Sequence, residues 1–129
     1  MAEIKNKSVS VWLILRDGPN KGKVALQQRS EKEKRYQFFC QATWSGKVEE
    51  GEKVESAVKR ECEEELGKKF KDNFNFSSLE FIGSLAFAAM GKNWESYNYL
   101  GKIFEQDLRL ASLHKEAEPE FLFASKDTQ

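Results

Sequence analysis

Glu61, Glu64 and Glu65 fall within about one helical turn of each other, in the run Arg60-Glu61-Cys62-Glu63-Glu64-Glu65-Leu66. A helix over residues 53–66 takes its apolar face from Val54, Ala57, Val58 and Cys62. At 100° per residue, Glu61 and Glu65 lie on that same face and Glu64 lies beside it. Charge there is costly to desolvate. Glu61 and Glu65 are also an i,i+4 like-charge pair, which weakens a bare helix by about a few tenths of a kcal/mol. Three carboxylates converging on a half-buried face make chemical sense around a hard divalent cation, because Mg²⁺ prefers oxygen ligands. The plainer alternative is a solvated acidic face, with Lys59–Glu63 and Arg60–Glu64 as surface pairs.

The flanking identities favour the first reading. Gly46, five residues, Glu52, seven residues, Arg60-Glu61-Cys62, one residue, Glu64-Glu65, one residue, Gly67 resembles the Nudix hydrolase box. Three positions depart from it. Lys68 stands where an apolar residue follows the last glycine, Cys62 fills another apolar place, and Trp44-Ser45-Gly46 replaces a Pro-Gly-Gly entry. A buried reduced thiol serves as a small hydrophobe, so Cys62 is compatible with the pattern.

The resemblance implies an α/β fold of the Nudix type, an α/β/α sandwich with a mixed sheet. It also implies roles. Glu64 and Glu65 would be metal ligands, with the Gly46 carbonyl as a further oxygen and Glu61 as a ligand or as the base that deprotonates water. Glu52 and Arg60 would hold loop and helix in register, and Gly67 would stop the helix. The implied cofactor is Mg²⁺, with Mn²⁺ as a substitute. A loop acid before the last strand joins the site in some members, and here Glu116 is the first choice, then Glu118 and Glu120, against the alternative of solvated loop charges.

The elements that must position these groups are legible in outline. Residues 8–15 read as a central strand, with Val9, Val11, Leu13 and Leu15 on one side and Trp12 and Ile14 on the other, both covered. Asp17-Gly18-Pro19-Asn20 is a turn by composition. Residues 23–29 form a second strand around Val24 and Leu26, residues 30–35 an exposed charged loop, and residues 37–44 a buried run leading into Gly46. Gly51-Glu52 is the turn before the helix, and Gly67 is its C′ glycine. Residues 79–88 and 97–105 read as a hairpin across residues 89–93. Residues 107–114 are a short helix or irregular loop, and residues 121–124 are a last strand.

Only five residues follow that strand. The second main helix of the fold is therefore expected to be short or missing. The second sheet face is then covered by residues 107–114, by a partner subunit in a homodimer, or by further natural chain.

The chain has 129 residues, with 21 basic and 21 acidic side chains. That length suits one domain over residues 1–129, burying roughly two-thirds of its unfolded surface. Balanced charge provides no general attraction to nucleic acid or anionic membrane, so neither is an expected partner. No apolar run approaches the ~18 residues of a membrane span, and the N-terminus lacks a signal-peptide core. Cys40 and Cys62 give neither metal-ligand spacing nor a disulfide framework and read as reduced core residues. A cytoplasmic enzyme or binding domain fits best.

Substrate contacts are less legible. Arg29 has the guanidinium to meet a phosphate, and Trp44, Trp94, Tyr97 and Tyr99 are candidates to stack on a base. Aromatics at alternating spacing are more often core. His114 reads as a loop residue, and a Cys62–His114 nucleophilic pair lacks a third orienting group.

The expected reaction is Mg²⁺-dependent hydrolysis of a diphosphate linkage in a nucleoside diphosphate joined to another moiety, a (d)NTP or related small nucleotide. Dinucleoside polyphosphates, ADP-ribose and nucleotide sugars remain open, and capped RNA is disfavoured by the balanced charge. Two alternatives use the same fold. An isoprenoid diphosphate isomerase would need a catalytic cysteine such as Cys40. A non-hydrolytic nucleotide-binding module would be marked by lost box carboxylates, and all are present here.

Overall fold

The computed structural model describes residues 6–28, 40–111 and 121–124. One mixed sheet carries strands β1 (Asn6–Leu15), β2 (Val24–Gln28), β3 (Cys40–Gln41), β4 (Trp44–Lys47), β5 (Glu80–Ala89), β6 (Lys92–Ile103) and β7 (Phe121–Ala124). The order is β3-β2-β1-β6-β5, with β4 also on β1 and β7 also on β2. Among the described strands only β1 and β6 run parallel, in register from Asn6 opposite Trp94 to Leu15 opposite Ile103. The helices are α1 (Val54–Leu66), α2 (Lys68–Asn73) and α3 (Glu105–Leu108).

β1 is central, as its pattern predicts. Val9, Val11, Leu13 and Leu15 are buried in one cluster with Ala57, Val58, Cys62 and Leu66 of α1 and Phe70 of α2. On the other face Trp12 and Ile14 are half-buried, and α3 packs back on α2 with Leu108 in the main core; residues 112–114 of the expected covering segment lie outside the described residues. That face also pairs polar groups across the sheet, as where Trp12 Nε1 donates to Asn98 Oδ1 at 3.2 Å. The architecture is nevertheless the mixed-sheet α/β class expected, with a short C-terminal helix.

α1 begins after a tight turn in which the Glu52 N–H donates to the Glu49 carbonyl at 3.0 Å. It stops at Gly67, whose φ of 91° suits only a residue without Cβ and whose N–H donates to the Glu63 carbonyl at 2.9 Å. α2 follows at once and covers Trp44 with Phe70 and Phe74.

β6 starts five residues earlier than the sequence pattern suggests. The hairpin closes tightly on Met90-Gly91, with φ of 52° and 72°, the positive pair of a type I′ turn. Ser96 and Asn98 break the apolar alternation, yet they pair with Ser8 and Ser10 of β1.

Candidate active site

Gly46 lies on β4 opposite Val9 of β1, directly beneath the α1 residue Glu61. A Cβ at Gly46 would fall inside the Glu61 carboxyl group, so any side chain here would drive that carboxyl from its place. Glu61 is 7% exposed. Arg60 organises the surroundings. Its Nε and Nη2 donate to the two oxygens of Glu52 at 2.9 and 3.0 Å, a bidentate fork that ties the turn to the helix. Nη2 also donates to the Lys47 carbonyl at 2.8 Å, and Nη1 reaches Glu61 Oε1 at 2.8 Å and Glu64 Oε1 at 3.2 Å. Glu52 closes the turn by accepting the Glu49 N–H at 3.0 Å.

The electrostatics follow from this packing. Burial, reinforced by the negative charges of Glu64 and Glu65, pushes the Glu61 carboxyl up to about 7 despite Arg60. The Arg60 hydrogen bonds hold Glu52 below its ordinary value. Glu64 is largely exposed and Glu65 half-buried.

Glu61, Glu64, Glu65 and the Gly46 carbonyl form an oxygen-only donor set, the kind a hard divalent cation takes. Among the described residues no three acidic side chains yet converge on one point. Glu61 and Glu64 both turn to Arg60 Nη1 instead. The donor set therefore fits in kind, and Glu64 must turn from Arg60 to join it.

The NUDIX domain profile matches residues 6–124. The chain belongs to the NUDIX family. Among solved structures, a MutT/nudix family protein from Enterococcus faecalis is 21% identical, with a TM-score of 0.71 over 95% of this chain and 44% of its own. This chain thus spans less than half the length of that relative. An Ap4A hydrolase from C. elegans, in a binary complex, is 20% identical, with a TM-score of 0.65 over 93% of this chain and 80% of its own. The NUDIX domain of Shewanella oneidensis NrtR, complexed with ADP ribose, is 15% identical, with a TM-score of 0.65 over 96% of this chain and 75% of its own. At these identities the likeness is one of fold. No curated protein matches significantly. NUDIX hydrolases in general use divalent metals, in keeping with the carboxylates gathered at the box.

Outside the NUDIX box, the candidates separate. Trp44 is fully buried, with its ring edge-on to Phe70 and Phe74 at 6.1 and 5.9 Å, so it is core and not a platform for a base. Tyr97 is better placed. It flanks Val9 on β6 as Gly46 does on β4, two strand spacings or ~10 Å across the sheet. Its hydroxyl donates to Glu95 Oε1 at 2.8 Å. Tyr99 is half-buried and lines a groove with Val58, Lys59, Phe76 and Leu79 on the far flank of α1. Trp94 stacks on Phe87 in the hairpin. Arg29, Glu116, Glu118, Glu120 and His114 lie outside the described residues, as does the Cys40 side chain. The Cys62 thiol is buried and pushed up to about 12, which excludes it as a nucleophile near neutral pH.

Two residues enter from the structure alone. Lys7 and Lys47 line a cavity of about 430 Å³ with Asn6, Val48, Glu49 and Glu52, against the outside of the box turn. Lys47 follows Gly46 directly, which was the available signal. Lys7 is brought in only by its place in β1, where its carbonyl accepts the Val48 N–H at 2.8 Å.

Proposed function

We propose that this NUDIX chain is a pyrophosphohydrolase cleaving a diphosphate linkage in a nucleoside diphosphate joined to another moiety, a (d)NTP or similar small nucleotide. The observation that carries the reading is the buried Glu61 carboxyl set against Gly46, clamped by Arg60 and flanked in sequence by Glu64 and Glu65. Balanced charge favours a small nucleotide over a polymer.

In this reading Glu61, Glu64, Glu65 and the Gly46 carbonyl hold Mg²⁺ or Mn²⁺. Such a cation would offset charge on the phosphate oxygens and make a water a better nucleophile. The protein's own contribution is positioning and proton transfer. Arg60 keeps Glu61 and the 47–52 turn in fixed relation, so the carboxylates meet substrate with little reorganisation. As the alternative to a ligand role, Glu61 is the base that takes the proton from the attacking water. Glu116 is the rival base, and the Glu61→Gln and Glu116→Gln variants separate the two by which one abolishes the alkaline rise in kcat. Tyr97 is proposed to contact the base and Arg29 a phosphate.

The test is product release from dNTPs, oxidised dNTPs, ADP-ribose, dinucleoside polyphosphates and capped nucleotide, with and without Mg²⁺. Metal-dependent cleavage with the highest kcat/KM on a small nucleotide is expected. Silence across the panel with Mg²⁺ still bound would overturn the reading and leave a binding module.

A further inference from the structure

We draw no further inference here: the strongest candidate, the exposed apolar patch of Phe81, Ile82, Leu85 and Phe87 on the outer strand β5, carries nothing because nothing in the structure shows what covers it.

Discussion

Glu61 makes the metal-free protein pay for its own active site, and the cost can be read from its pH dependence. The carboxyl titrates at 4.5 when free of structure and at about 7 in the fold. Its folded value is raised, so the folded state holds the proton more tightly. Stability is therefore greatest below about pH 4.5 as far as this group is concerned, falls as pH rises through 7, and stays lower above it. The full difference is about 3 kcal/mol, at roughly 1.4 kcal/mol for each pH interval between the two values. Glu61→Gln removes the titration and keeps an oxygen for Arg60 Nη1. In EDTA the variant should match wild type near pH 4 and exceed it by up to about 3 kcal/mol at pH 8.5. Urea unfolding followed by circular dichroism across that range is the assay. Adding Mg²⁺ at pH 8.5 should stabilise wild type and leave the variant unmoved, reversing their order. Parallel pH curves for the two proteins would refute both the burial of the charge and its tie to the cation.

The remaining expectations concern neighbouring groups. Glu64→Gln should cut kcat by about a hundredfold or more and weaken Mg²⁺ binding by isothermal calorimetry, with thermal stability equal to or slightly above wild type as a like charge is lost. Arg60→Lys cannot reproduce the bidentate grip on Glu52 and should cost about 1–3 kcal/mol in urea unfolding while lowering kcat more than it raises KM. Gly46→Ala drives a methyl into the Glu61 carboxyl; loss of activity with a Tm lower by several degrees is expected, and a variant of normal activity would remove the close approach from the account.

How much of this was legible beforehand depended on whether a residue's role is local. The box could be read because its geometry is local: a helix of fixed pitch places Glu61 inward, and glycine is demanded by a contact within one β-strand, loop and helix. The alternation in β1 likewise announces a buried face. Trp44 resisted because composition reports that an aromatic is present and not which neighbours cover it; α2, some 25 residues on, decides that. The true start of β6 was hidden because Asn93, Glu95 and Ser96 look like loop, and only pairing to β1 makes them strand. On the second sheet face, the polar partners of Trp12 and Ile14 across the sheet are invisible without the register.

The parallel pairing of β1 with β6 also sets a timetable for synthesis. Residues 6–15 are made long before the residues 94–103 with which they form their longest ladder. Closing so large a loop is slow, and the nascent chain must wait for it. In the interval β1 can gather β2, β4 and α1 but keeps one side unpaired. A chain stalled or cut before Lys92 would carry an apolar strand in search of a mate, which makes premature termination here a route to aggregation and not merely to inactivity.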